Sequence, residues 1–209
     1  MKWLIVTCDK SKHIVPVQQY LFNKYAPGVD VWYIDVGSKP IEIWGQNVLN
    51  RITDVMDQYV VFGLDDYLPT GPFNVELFDE ALYITQTAKY ERFELGFGAH
   101  RKAGMISQEL GEMYTFLEYG KETPYSVSCQ FSIWKMTALK RELGKCTNPW
   151  NFEVTGRAKA ACFSHPIMRW IEESALSRKW QGINLSGLDP VVVEELIFKG
   201  LIKRNQIRQ

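Results

Sequence analysis

Residues 59–71 read YVVFGLDDYLPTG. The first six form a short run of apolar residues, the pattern of a strand buried in a sheet. The run ends on two adjacent carboxylates, Asp65 and Asp66, and turn-forming residues follow at once. Asp is common where a turn begins, but carboxylate oxygens are also the ligands that Mg²⁺ and Mn²⁺ prefer. The local sequence leaves a turn and a metal site equally open.

Strands and helices alternate around this stretch. Apolar β-rich runs predict strands, and 3.6-residue periodicity predicts helices. The predicted strands cover residues 3–8, 29–37 and 59–64, and the predicted helices cover residues 14–25, 45–58 and 74–85. Pro16 suits the first turn of the first helix, and Met56 falls on the apolar face of the second. Such alternation predicts βαβ crossovers and a mainly parallel sheet flanked by helices.

The second half of the chain has a different pattern. Short aromatic runs between residues 88 and 134 predict antiparallel strands added to the sheet, with a polar loop over residues 98–111. Helical spacing resumes at residues 135–143. Asn148 and Pro149 predict a short capped helix within residues 148–161, and Asp189 predicts the cap of a C-terminal amphipathic helix. The fold predicted is α/β with an added antiparallel region.

Composition narrows the class of protein. The chain has 209 residues, 46% of them hydrophobic, and a net charge of zero, which argues against non-specific binding of nucleic acid. No run of residues is apolar and long enough for a membrane span, and the apolar start is too short for a signal peptide. The four cysteines lack paired CxxC spacing, which indicates reduced thiols in a cytoplasmic protein without a zinc site.

Acidic residues follow all three predicted parallel strands. Asp9 and Asp35 follow the first and second strands, as the Asp65–Asp66 pair follows the third. Ligands of open parallel sheets bind at the carboxyl ends of the strands, so we expect these side chains to converge at a binding site. Carboxylates at three neighbouring strand ends repel one another, so cations or hydrogen bonds must stabilise their negative charges.

A second candidate region is NPWNFE, residues 148–153. Glu153 follows two aromatic residues, and a carboxylate among aromatic rings can act as a general base. The local sequence favours the alternative, in which Trp150 and Phe152 are core anchors and Glu153 is a charge near a helix start. Arg157 could contact a diphosphate or lie on a solvated helix face, and His165 could be a third metal ligand or a structural histidine.

Several other chemistries lack their motifs. The GFG at residues 96–98 has no third glycine at the required position, so it fails as a Rossmann fingerprint. A P-loop GxxxxGK[ST] motif is missing, as is the GxSxG of serine hydrolases. The sequence thus favours neither a dinucleotide-dependent enzyme nor a triad hydrolase.

Four segments together resemble a known family. In order they are IVTCDK, VFGLDDYLP, YSVSCQFSIWKMTAL and NPWNFEVTG, between residues 5 and 156. This series is similar to GT-A-type nucleotide-diphospho-sugar glycosyltransferases of bacterial polysaccharide clusters and large viruses, over roughly residues 3–157. The chain departs from the family pattern in having adjacent Asp65 and Asp66 in place of a spaced Asp-x-Asp motif.

The resemblance implies a single GT-A-like domain over residues 1–209. Residues 1–87 would bind the nucleotide sugar, residues 88–165 would form the acceptor side, and residues 166–209 would be a C-terminal helical extension. It implies a transfer of a hexosyl or deoxyhexosyl group from a UDP- or dTDP-sugar to a glycan hydroxyl, aided by Mn²⁺ or Mg²⁺. A non-catalytic binding module and a sugar nucleotidyltransferase remain alternatives.

The resemblance also implies roles for individual residues. Glu153 would be the catalytic base of an inverting reaction, although retention of configuration stays open. Asp66, with Asp65 beside it, would hold the metal. The implied nucleotide-sugar contacts are Thr7, Asp9, Asp35, Asp65 and Arg157, and the implied acceptor contacts are Trp134, Trp150 and Gln130.

Overall fold

The fold is built around one eight-stranded mixed sheet. The computed structural model describes residues 1–38, 41–96, 105–110, 114–119, 126–172, 185 and 187–207. In chain order the strands of the main sheet are β1 (Lys2–Thr7), β2 (Asp30–Asp35), β3 (Tyr59–Leu64), β5 (Arg92–Glu94), β6 (Met105–Leu110), β7 (Tyr114–Tyr119), β8 (Ser132–Lys135) and β9 (Ala160–Phe163). Their spatial order is β2-β1-β3-β8-β5-β9-β7-β6.

The first three strands form the predicted parallel unit. β1 pairs in parallel with β2, where Ile5 faces Tyr33, and with β3, where Ile5 faces Gly63. The connections contain α1 (Val15–Tyr25) and α2 (Trp44–Arg51), and α3 (Val75–Thr87) follows β3. Strand–helix alternation in this half of the chain therefore gives the βαβ crossovers that the sequence predicts.

The remaining strands all extend the sheet beyond β3. β8 lies between β3 and β5 and is antiparallel to both, and β7 is antiparallel to β9 and β6. β5 and β9 are parallel. As a result β1, β2, β3, β5, β6 and β9 run one way and only β7 and β8 run the other, so the sheet is Rossmann-like and mainly parallel in direction.

Helices cover both faces of the sheet. Successive β1 residues point to opposite sides: Trp3 and Ile5 pack with α1 and α3, whereas Leu4 and Val6 pack with the helices of the other face. Those helices are α2, α4 (Met136–Leu143) and α5 (Pro149–Thr155). A third apolar cluster joins the C-terminal α6 (Pro190–Phe198) to α1.

The predicted helix caps are confirmed. The side chains of Asn148 and Asp189 accept hydrogen bonds from the first turns of α5 and α6, at Asn151 N and Val191 N respectively. Pro16 and Pro149 occupy first-turn positions of their helices. These short-range signals place the helix starts correctly because each involves residues only a few positions apart.

Three predicted elements differ from the structure. α2 ends at Arg51, so Met56 is not on its apolar face and is 89% exposed. The predicted polar loop at residues 98–111 contains β6, with its remaining residues outside the described ranges. A small second sheet pairs β4 (Tyr67–Pro69) with β10 (Trp170–Glu172), so the C-terminal extension is not purely helical.

The helices of the described ranges are each too short or too polar to cross a lipid bilayer.

Candidate functional site

A cavity of about 560 Å³ opens at the carboxyl ends of β1 and β3. The strand ends form one wall and α2 and α5 contribute the other. Its polar and aromatic lining includes Thr7, Asp9, Lys10, Ser11, Trp44, Asn47, Asp65, Asp66, Cys129, Trp150 and Glu153. The strand ends and the α5 carboxylate predicted from sequence therefore face one space.

Lys12 binds two acids at the strand ends, Asp9 after β1 and Asp35, the last residue of β2. Its Nζ lies 2.6 Å from Asp9 Oδ1 and 2.7 Å from Asp35 Oδ2. The hydrogen bonds from Lys12 hold the pKa of both carboxyls below the usual value, and Ser38 and the Gly37 N–H contribute at Asp9 and Asp35 respectively. An internal lysine thus supplies the cation that two of the three acidic strand ends require.

The backbone of Cys129 joins the two other acidic regions. Its carbonyl accepts a hydrogen bond from the N–H of Leu64, the residue before Asp65, at 3.1 Å. Its own N–H donates to Glu153 Oε1 at 2.8 Å. The backbone of this one residue therefore connects the end of β3 to the carboxylate of α5.

Asp66 and Glu153 lie within electrostatic reach of the same thiol. The pKa of Cys129 is raised well above its usual value, first by burial and then by the negative charges of Glu153 and Asp66. Asp65, only 5% exposed, acts on a different group: its negative charge adds to the burial that raises the pKa of Tyr33. The two adjacent acids therefore act on different neighbours, although both line the cavity.

Glu153 differs from the nearby Glu142 in the partners that hold its carboxylate. Glu142 is 1% exposed in its side chain and is bound by Arg141 and Lys145. Within the described part of the chain Glu153 forms no ion pair with a lysine, arginine or histidine, and its hydrogen-bond donor is the Cys129 N–H. Glu153 is thus a half-buried carboxylate at the cavity that is held by a backbone donor.

Thr7 presents a buried hydroxyl to the cavity. The residue is 4% exposed, and among the described residues its Oγ1 has no hydrogen-bond partner. Leaving a buried hydroxyl unpaired costs about 1–3 kcal/mol. A ligand that hydrogen-bonds this oxygen would remove that cost, so Thr7 is a natural contact for a polar ligand.

The cavity brings together six of the ten residues predicted from sequence. They are Thr7, Asp9, Asp65, Asp66, Trp150 and Glu153. Trp150 is 57% exposed at this site, as expected of a ring that could stack on a sugar. Asp35 does not line the cavity but is connected to it through Lys12 and Asp9.

The other three predicted contacts do not line the cavity. Trp134 is 0% exposed and packs on Phe152 at 5.8 Å between ring centroids, which corrects the expectation that its ring faces an acceptor. Gln130, earlier in the same segment, is also buried, and its backbone carbonyl accepts a hydrogen bond from the Ser132 hydroxyl. Arg157 instead hydrogen-bonds the carbonyls that end α5, so its guanidinium is not directed to a diphosphate. The exposed His165 also lies outside the lining.

Several lining residues were not predicted as contacts from the sequence. Among them, Lys10 follows β1, Asn47 projects from α2, and Cys129 connects Leu64 and Glu153 through its backbone. Lys10 could have been found, because it follows β1 directly beside Asp9. The position of Cys129 depends on the pairing of β8 with β3, which no local pattern indicates.

The carboxylates suit a metal that arrives with its ligand. Among the described residues, no three His, Cys, Asp or Glu side chains are grouped so that they could hold a metal ion. Mg²⁺ and Mn²⁺ commonly use one or two protein carboxylates together with substrate phosphates. Asp65 and Asp66 are two adjacent carboxylates at the cavity.

Comparison with known proteins places the chain in no named family. Neither protein-family models nor curated proteins give a match. Among solved structures, the crystal structure of A197 from STIV is similar, with a TM-score of 0.48 and 10% identity over 82% of this chain and 85% of that chain. A similarity of this size assigns no function.

Proposed function

We propose that this chain is a metal-dependent glycosyltransferase that moves a sugar from a UDP- or dTDP-sugar to a glycan hydroxyl, in the cytoplasm. The observation that carries the proposal is the meeting of Asp66 and Glu153 around Cys129 in one cavity at the ends of parallel strands. The likeness of four sequence segments to GT-A-type enzymes supports the same assignment.

The donor would occupy the strand-end wall. Thr7 would hydrogen-bond the nucleoside, and Lys10 would face the diphosphate in place of Arg157. Asp66, with Asp65, would hold Mn²⁺ or Mg²⁺, which neutralises the negative charge that develops on the departing diphosphate. Because Lys12 already binds Asp9 and Asp35, Asp9 would form part of this wall as a carboxylate paired with a lysine.

Glu153 would act on the acceptor. Its carboxylate would take the proton of an acceptor hydroxyl while that oxygen forms a bond to the anomeric carbon. The bond from this carbon to the diphosphate breaks, and the diphosphate leaves with the electron pair. Attack opposite the leaving group inverts the anomeric configuration. Trp150, exposed beside Glu153, offers a ring on which the acceptor sugar could stack.

Calorimetric titration of UDP tests the donor side. We expect binding to be tighter with Mn²⁺ than without it, and Asp66→Asn to remove that difference. Asp79→Asn, an exposed acid on α3, is the matched control and should bind like wild type. Equal binding with and without Mn²⁺, together with wild-type behaviour of Asp66→Asn, would overturn the metal role of Asp66.

Turnover separates an enzyme from a binding module. A panel of UDP- and dTDP-sugars is screened by thermal shift with Mn²⁺, and each stabilising donor is assayed for transfer and hydrolysis. Stabilisation without turnover of any donor would favour a non-catalytic nucleotide- or carbohydrate-binding module. Formation of a nucleotide sugar from sugar phosphate and UTP would favour a nucleotidyltransferase.

A further inference from the structure

A buried polar network lies on β5 and β8, away from the cavity lining. The side chains of Arg92 and Glu94 are both fully buried and form an ion pair at 3.1 Å. Tyr119 of β7 donates a hydrogen bond to the same Glu94 oxygen. The Arg92 guanidinium also lies 5.9 Å from the Trp134 ring, in the core. None of these groups contacts a ligand in the proposed reaction.

Arg92 extends from this network to residues 126–130, here called the bridging segment. Its NH1 donates to the Ser126 carbonyl at 3.2 Å, and its Nε donates to Ser132 Oγ at 3.0 Å. Ser132 Oγ in turn donates to the Gln130 carbonyl at 2.9 Å. Both ends of the bridging segment are therefore fastened to one guanidinium, directly or through one hydroxyl.

The bridging segment contains Cys129, whose peptide groups bind Leu64 and Glu153. From this continuity we infer that Arg92 and Ser132 are positioning residues, which fix the separation of Asp66 and Glu153 by anchoring the segment between them. The inference rests on the proposed function, because it assigns a role within that reaction. Errors of about 1 Å in such geometry can lower a rate by about a hundredfold.

Stability alone is a poor explanation for this network. Removing two charges from water is costly, and replacement of a buried ion pair by apolar side chains is often neutral or stabilising. An apolar pair could fill the same space but could not bind the Ser126 carbonyl or the Ser132 hydroxyl. The planar guanidinium has donors that point in several fixed directions, which suits it to hold a segment in place.

Ser132→Ala is the informative variant. It removes only the link from Arg92 to the Gln130 carbonyl and leaves the ion pair intact. Replacement of Arg92 would instead remove the ion-pair partner of the buried Glu94. Thr85→Ala is the matched control, because it also removes a fully buried hydroxyl bound to a carbonyl, but within α3. Both variants are compared in hydrogen exchange, UDP affinity with Mn²⁺, and the rate of transfer.

We expect Ser132→Ala to speed amide exchange in the bridging segment and to lower kcat by about tenfold, the effect of one net hydrogen bond. Its affinity for UDP should stay within about twofold of wild type. Thr85→Ala should change neither the exchange of this segment nor kcat. Greater loss of kcat than of UDP affinity distinguishes positioning from general loss of folded protein.

The remaining outcomes overturn the inference in different ways. Unchanged exchange in the bridging segment of Ser132→Ala would show that Ser132 does not anchor it. Faster exchange with an unchanged kcat would show that the segment's anchoring does not govern the reaction. If wild-type protein binds donors but transfers no sugar, the proposed function fails, and the exchange result alone reports whether the anchoring exists.

Discussion

The acids after β1 and β2 and the acids around Cys129 occupy the same edge of the sheet but are stabilised differently. Asp9 and Asp35 share Lys12, at 2.6 and 2.7 Å, within a span of 27 residues. Glu153 receives a backbone N–H from a residue 24 positions earlier, without an ion pair inside the described ranges. A lysine of the chain thus pairs with both acids of the first cluster, whereas Glu153 of the second cluster is held by a backbone N–H.

Replacement of Glu153 should have the largest effect on turnover. Glu153→Gln keeps an oxygen for the Cys129 N–H but cannot take a proton, so we expect kcat to fall by about 10²–10⁴-fold. UDP affinity with Mn²⁺ should not change. The measurements are transfer rate and calorimetry, and Glu91→Gln, an acid paired with Arg141 outside the cavity lining, is the control. Wild-type turnover of Glu153→Gln would remove this residue as the base.

Lys10 provides the next test, because it can be compared directly with Lys12. Lys10 lines the cavity and, among described residues, forms no ion pair, so Lys10→Gln should weaken UDP binding by about tenfold. The loss should shrink as salt is raised, since screening weakens an exposed charge. Thermal unfolding should be unaffected. A Lys10→Gln protein that binds UDP like wild type would show that the diphosphate lies elsewhere.

Thr7→Val should affect stability and binding in opposite directions. Replacing the buried, unpartnered hydroxyl by a methyl group should raise the free energy of unfolding by about 1 kcal/mol. It should also weaken UDP binding several-fold. Thr85→Val is the control, because the Thr85 hydroxyl donates to the Ala81 carbonyl and its loss should lower stability. Denaturant unfolding measures the change in stability, and calorimetry measures UDP binding. A Thr7→Val protein less stable than wild type would contradict the assignment of Thr7 as an unpartnered hydroxyl that awaits a ligand.

Lys12→Met should give the smallest effect, a fall of no more than a few degrees in Tm near neutral pH, because the ion pairs are exposed. The folded-state pKa values of Asp9 and Asp35 are lowered, so their stabilisation is present above the ordinary Asp pKa of about 3.9 and lost as the pH falls through the folded values. The Tm difference from wild type should therefore vanish in acid. A difference that persists there would show that Lys12 acts through packing.

Local sequence patterns predicted most elements of this fold. The βαβ half follows from periodicity, and Asn148, Pro149 and Asp189 mark helix starts through contacts within three residues. The insertion of β8 between β3 and β5 could not be predicted from local patterns. β3 lies about 70 residues earlier in the chain than β8, and β5 lies about 40 residues earlier. The second small sheet was not predicted for the same reason, because its strands β4 and β10 lie far apart in the chain.

In the candidate site, too, features set by local sequence could be predicted and features set by tertiary structure could not. Acids after parallel strands were predictable, since the carboxyl ends of such strands share one edge. Trp134 and Trp150 could not be distinguished by sequence, because both lie in aromatic motifs. Trp134 belongs to β8 and faces the core, whereas Trp150 belongs to the first turn of α5 and is exposed. Burial depends on the tertiary position of the element and not on the motif itself.

The exposure of Trp150 gives the protein its own optical reporter. Indole emission shifts to shorter wavelength when the ring leaves water. Trp3, Trp44 and Trp134 are already buried, at 2%, 6% and 0% exposure, and Trp32, 46% exposed, is outside the cavity lining. A sugar that covers Trp150 would therefore change the red edge of the emission spectrum, and comparison with Trp150→Phe would isolate that change. Acceptor binding could then be followed in real time, without a label and without turnover.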